Sequence, residues 1–181
     1  RAISLIDVAA RGAELVAQGA IKETLDTTGN VTTAPSYPNG THVAEVEIDP
    51  DTGHVEVVKY TMVGDFGTVI NPLLVEGQSH GGVVQGISQA IFEHVVYSEE
   101  GQPLTGSFTD YAIPRAGDAP SFKIDYHSVP AKTNVLGAKG CGEAGCAGSL
   151  PSVMNAISDA LGGKHINMPA TPERVWAALN G

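Results

Sequence analysis

Between Leu5 and Val16 apolar residues recur at helical spacing, with Leu5, Val8, Ala9, Ala13 and Val16 forming one stripe. Ser4 and Asp7 supply a capping-box pattern in front of it and Gly19 stands where it should end, so the spacing predicts a first helix. Turn residues then dominate, at Gly29-Asn30, Pro35 and Pro38-Asn39-Gly40. At Ala44 the period changes to two, with Ala44, Val46 and Ile48 alternating against Glu45, Glu47 and Asp49 as in a half-buried strand. Asp49-Pro50-Asp51-Thr52-Gly53 is turn chemistry, and the β pattern resumes over Val55–Tyr60, which predicts an antiparallel hairpin. Asn71-Pro72 marks a helix start, with the helix expected to run to about Val95. Further strands are expected around Gly106–Ile113 and Phe122–Val129. Two helices should close the chain. One is capped by Ser149, holds Pro151 and stops before Gly162-Gly163; the other is capped by Thr171 and turns Val175, Trp176 and Leu179 inward. Elements in this mixed order, with no repeat or linker, indicate an α+β class of helices and antiparallel strands.

Charge narrows the range of partners. Lysine and arginine total 10 against 20 aspartates and glutamates, a formal net charge of −10, which argues against a nucleic-acid surface or an anionic membrane. No apolar run approaches the roughly 20 residues of a membrane span. The chain opens on Arg1 rather than methionine, which leaves room for sequence upstream. Two cysteines, Cys141 and Cys146, are too few for a disulfide scaffold and suit a reducing cytoplasm.

Two segments carry candidate chemistry. The helix after Asn71 contains Gly77, Gly81, Gly82 and Gly86, each costing about 0.8–1 kcal/mol relative to alanine. Such glycines let a ligand or another backbone approach the helix axis. Gln78, Gly82, Gln85 and Gln89 then share one polar, uncharged face, which reads either as hydrogen-bonding groups for a heteroaromatic ligand or as a solvent-facing stripe. The second segment, Gly137–Gly148, is glycine-rich and leads into the helix expected after Ser149, an arrangement that offers backbone N–H groups to an anion. It lacks the lysine–hydroxyl ending of a P-loop, which weighs against a nucleotide-binding protein. Glu143 is the one carboxylate inside it. Among small residues it reads as a partly desolvated base of raised pKa, or else as a helix-dipole or capping partner. The cysteines read as small buried residues. The histidines, among them His80, His94, His127 and His165, lack metal-ligand spacing, so no residue is assigned to a metal.

Several segments, taken in order, resemble the C-terminal half of the large subunit of molybdenum hydroxylases, the xanthine dehydrogenase, aldehyde oxidoreductase and CO dehydrogenase family. They are Asp65–Pro72, Glu76–Gly82 with Gln85-Gly86, Asp110–Pro114, Lys139–Gly145 and Met168–Trp176. The resemblance covers essentially the whole chain and implies that residues 1–181 are one C-terminal portion of a molybdopterin-binding domain. It implies Glu143 as the general base that activates a water-derived nucleophile for hydroxylation of an aldehyde or N-heterocycle carbon. It places Gln78 against the pterin and Gly140, Cys141 and Gly142 beside the cofactor. The implied cofactor is molybdopterin with molybdenum, in its plain or cytosine dinucleotide form, with FAD and [2Fe–2S] clusters on partner subunits or domains. The implied partners are the rest of the large subunit, the FAD and iron–sulfur subunits and a small-molecule substrate, in the cytoplasm. The family's Phe-Gly-Gly stretch, active-site arginine and iron–sulfur motifs have no counterpart here, so the chain holds half a site. A structural or assembly domain that keeps the fold without a cofactor is the competing expectation.

Overall fold

Ser4 sets the first helix: its hydroxyl accepts the Asp7 N–H at 3.1 Å and α1 follows over Leu5–Ala17. The computed structural model describes residues 2–23 and 28–181, and the chain forms two compact units, residues 1–33 and 34–181.

In the second unit the alternating segments form the expected hairpin, β1 (Asn39–Ile48) antiparallel to β2 (Val55–Asp65). On β2 the core residues are Val55, Val57, Tyr60 and Met62, so strict alternation fails between Val57 and Tyr60. A bulge resolves the mismatch. Glu45 faces Lys59 and Val46 faces Val57, leaving Val58 as the extra residue and returning Tyr60 to the buried face. The third strand, β3 (Ser121–Tyr126), is shorter than the 122–129 expectation and pairs with β2 in parallel, so the sheet is mixed with order β1-β2-β3. Alternation alone does not encode strand direction.

The parallel pairing requires a long crossover, which contains α2 (Pro72–Ile91). Asn71 caps it by accepting the Leu74 N–H at 3.3 Å, with Pro72 in the first turn. It ends at Ile91 rather than near Val95. Glu93 turns its N–H back onto the Ser88 carbonyl at 2.9 Å, and its carboxylate accepts from the hydroxyls of Ser88 and Tyr111. The strand expected over 106–113 does not form. The Ser107 hydroxyl donates to the Asp110 carboxylate at 2.8 Å and the Ser107 carbonyl accepts from the Asp110 and Tyr111 N–H groups, so a turn captures this backbone.

The third helix, α3 (Ala144–Ala160), starts five residues before Ser149, which is therefore not its cap but a buried residue within it. It packs on α2 and crosses β1, where Gly148 lies flat against the His42 ring; a Cβ there would sit 2.4 Å from the ring atoms. His42 Nδ1 in turn pairs with the Tyr60 hydroxyl at 2.7 Å, and burial pushes that phenol up to about 12. The last helix, α4 (Pro172–Asn180), follows Thr171 as expected, but only Val175 of its three apolar positions is buried. Trp176 and Leu179 are exposed, correcting the inward orientation expected for them. The core joins β2 to Val83, Ile87, Val153, Ile157 and Val175, confirming the α+β class. Among the described residues no helix is long and apolar enough to cross a membrane.

Candidate functional site

The glycines of α2 divide into two sets with different surroundings. A Cβ on Gly82 would lie 3.0 Å from the Cys146 nitrogen and the Gly145 Cα, and one on Gly86 would lie 1.7 Å from the Ser149 hydroxyl. A Cβ on Gly145 would in turn meet the Ser79 carbonyl at 2.8 Å and the Val83 nitrogen at 2.9 Å. The two helices thus touch backbone to backbone, and Gly82 belongs to this contact rather than to the polar face assigned from its spacing. Gly77 and Gly81 have nothing within 4 Å, and with Gln78, Gln85 and Gln89 they form the open face of α2.

This contact brings the start of α3 beside Gln78. The Gln78 amide nitrogen lies 3.8 Å from where a Gly142 Cβ would stand, so the two candidate segments meet across that gap. Gly140 and Gly142 are exposed, with space around Gly140, while Cys141 is half-buried and packs against the core. Glu143 occupies the cap position of α3, at the positive end of the helix dipole, but its side chain makes no capping bond, so of the helix-partner reading only the dipole half stands. Its carboxylate is also exposed, so the desolvation expected from its small neighbours is not provided by this chain. Among the described residues the N–H groups of Gly140, Cys141, Gly142 and Glu143 donate no hydrogen bond. The loop therefore presents a run of backbone donors that continues into the first turn of α3.

The segments behind the loop are rigidly tied. Residues 66–68 run antiparallel to 137–139, with Lys139 N–H donating to the Phe66 carbonyl and Thr68 N–H to the Gly137 carbonyl, both at 2.9 Å. Both Gly67 and Gly137 adopt positive φ, +60° and +67°, to fit this crossing. Asn134 clasps the turn by donating to the Ala138 carbonyl at 2.9 Å and accepting its N–H at 3.1 Å. At the centre, the nearly buried Asp65 carboxylate accepts from Gly67 N–H and Val129 N–H, each at 2.9 Å, and from Lys139 Nζ at 2.5 Å. Sequence reasoning assigned no role to this node. Its partners lie 74 positions apart, and no spacing rule links them.

The Lys139 ammonium, helped by the two backbone donors, holds Asp65 down at about 2. A carboxylate depressed in the folded state contributes stability above its unfolded value of about 4, and that contribution is lost as pH falls toward the folded value. Asp65→Asn should therefore lower the urea midpoint at neutral pH. The gap from wild type should close as pH is lowered from about 4 toward about 2; a constant gap throughout would show that the carboxylate charge is not what matters.

The donor set at the loop is an amide, a free carboxylate and unpaired backbone N–H groups, beside glycines with open space around them. Among the described residues no cluster of three or more histidine, cysteine, aspartate or glutamate side chains forms a metal-binding group. Lys139 is already paired with Asp65, so the loop offers an anion dipoles but no free lysine charge. Such a set offers hydrogen-bond donors and acceptors beside an exposed carboxylate. Set on an α+β fold, they are the chemistry against which relatives of this chain are compared.

Known proteins identify the family. The profile of the molybdopterin cofactor-binding domain matches residues 1–120. The nicotine 6-hydroxylase large subunit of Paenarthrobacter nicotinovorans is 43% identical over 83% of this chain and 19% of its own length. The carbon monoxide dehydrogenase large chain of Afipia carboxidovorans is 37% identical over 78% of this chain and 18% of its own. Among solved structures, quinoline 2-oxidoreductase from Pseudomonas putida 86 superposes with a TM-score of 0.77 at 38% identity, covering 79% of this chain and 19% of that one. The chain belongs to the molybdopterin cofactor-binding domain family, as a stretch of a molybdenum hydroxylase large subunit, and so to a family of molybdopterin-binding oxidoreductases. It spans about a fifth of the length of these relatives.

Proposed function

We propose that this chain forms one wall of the active site of an enzyme that hydroxylates an aldehyde or N-heterocycle carbon with a water-derived oxygen. The observation that carries the reading is the approach of the Gln78 amide to Gly142, which sets a directed hydrogen-bonding group beside the free carboxylate of Glu143. Similarity to nicotine 6-hydroxylase and quinoline 2-oxidoreductase favours the N-heterocycle arm. When bound, the molybdenum cofactor, as molybdopterin or its cytosine dinucleotide form, supplies the redox centre that takes two electrons from the substrate. Gln78 offers both an N–H donor and a carbonyl acceptor to the pterin edge. Gly140 and Gly142 leave room for close approach, and Cys141 anchors the loop between them through its contact with the core. Glu143 accepts the proton of the attacking water-derived group at its carboxylate oxygen, which is general-base catalysis.

The remainder of the large subunit completes the site in this reading. Ile70, Leu73 and Leu74 are exposed ahead of Gln78, as are Val135 and Leu136 at the tip of the clasped turn, and apolar surface of this kind is covered in an assembled protein. Covering it also excludes water around Glu143. FAD and [2Fe–2S] subunits then take the electrons onward in a cytoplasmic complex, and residues 1–181 serve as one C-terminal portion of the cofactor domain.

Gln78→Ala in the complete complex tests this reading through binding. Loss of one buried polar partner costs about 1–3 kcal/mol, so molybdenum and pterin content should fall measurably at limiting cofactor. Because Gln78 is exposed in this chain, the melting temperature without cofactor should stay within about 1 °C of wild type. Full occupancy would assign Gln78 to a solvent-facing stripe and favour a structural or assembly domain.

A further inference from the structure

Apart from the packing of Cys141 on the core, the loop that carries Glu143 is held at its two ends. Downstream it enters α3, whose position is set by the glycine contact with α2. Upstream it ends at Lys139, since none of the N–H groups from Gly140 to Glu143 donates a hydrogen bond among the described residues. The backbone bond from Lys139 to Phe66 holds that residue to the end of β2, and its side chain is held by Asp65. The Asp65 and Lys139 side chains are 12% and 10% exposed, so solvent screens this pair far less than a surface bridge. Asp65 also binds the N–H groups of Gly67 and Val129, so one carboxylate registers three chain segments against each other directly behind the loop. Three residues separate this anchor from the carboxylate assigned as base.

We propose that Asp65 and Lys139 are a positioning pair: their contact sets the upstream end of the Gly140–Glu143 loop and thereby where the Glu143 carboxylate stands. The inference rests on the reading of Glu143 as the base, but its geometric half does not. Neither side chain touches the reactants. Displacement of a catalytic group by about 1 Å costs on the order of 10²-fold in rate, while substrate binding through other contacts is unaffected.

Cys141 reports the loop position, because it lies inside the loop and is half-buried against the core. Cys146 lies in the first turns of α3 and serves as the internal control. The test variant is Lys139→Met in the complete enzyme complex, which keeps an unbranched side chain one atom shorter and leaves Asp65 its two backbone donors. Iodoacetamide labelling of the two cysteines, read separately by peptide mass spectrometry, should rise about tenfold at Cys141 with Cys146 unchanged. At matched cofactor content kcat should fall about 10²-fold with KM within about twofold of wild type. Lys139→Arg, which retains a cation for Asp65, should recover most of both. Unchanged Cys141 labelling overturns the proposal, whatever happens to rate, because Lys139 would then act without moving the loop. Equal rises at both cysteines overturn it as well, since they report general loosening. Glu143→Gln in the same complex separates the two readings: if that variant keeps its activity, the assignment of the base falls, while the labelling result still judges the positioning pair.

Discussion

Glu143→Gln is expected to stop turnover while leaving the fold and the molybdenum content nearly intact. The amide keeps the size of the carboxylate and much of its hydrogen bonding, but it does not accept a proton from the attacking group. General-base assistance is worth about 10²–10⁴-fold, so the loss in kcat should be at least of that order. Folding should be indifferent, because the Glu143 side chain caps nothing and is exposed. The measurement is steady-state and single-turnover oxidation of an accepted substrate by the complete complex at matched cofactor loading. Activity within about tenfold of wild type would remove Glu143 from the role of base and leave the family assignment standing.

The second large effect is expected at Gly145, and it is structural. A Cβ there would lie 2.8 Å from the Ser79 carbonyl, 2.9 Å from the Val83 nitrogen and 3.0 Å from the Gly82 carbonyl carbon, all of them backbone. No side-chain rotation relieves the clash, so the helices have to separate. Overpacking a core costs about 1–3 kcal/mol and occasionally more, and Gly145→Val belongs at the upper end because its neighbours are fixed in a helix. Since α2 carries Gln78 and α3 follows Glu143, cofactor content should fall together with the urea midpoint. Gly77→Ala is the matched control: with nothing within 4 Å, replacing a helical glycine should stabilise the chain by about 0.8–1 kcal/mol. A Gly145→Val protein with wild-type stability and cofactor content would mean that the helices do not meet through these glycines.

Local rules made part of this structure legible in the sequence. The hairpin, the start of α2 at Asn71-Pro72, and the start of α4 after Thr171 each depend on residues within a few positions of one another. The failures depend on longer-range contacts or on competition for the backbone. Ala144–Gly148 looked like loop because glycine disfavours helix, yet these small residues are what a helix needs to lie on Gly82 and Gly86. Residues 106–113 have strand composition, but Ser107 and Asp110 draw the backbone into a turn. The candidate site was legible through its residue types and the family resemblance; the approach of Gln78 to Gly142 required the packed helices. Asp65 and Lys139 stood inside recognised motifs, but their pairing became visible only when the end of β2 met the 137–139 segment.

Because β2 is the middle strand, β1 and β3 each turn one side away from any partner among the described residues. Each open side presents backbone N–H and C=O groups able to recruit another strand, although on β3 the Tyr126 N–H is taken by the Asp125 carboxylate. What opposes that recruitment is net charge: copies carrying −10 repel one another before their edges meet. That protection has a range of about 10 Å at 0.1 M salt and about 3 Å at 1 M, so concentrated electrolyte removes it. For this chain kept apart from its larger subunit, salting-out would then proceed by sheet extension from copy to copy, with the folded core still in place.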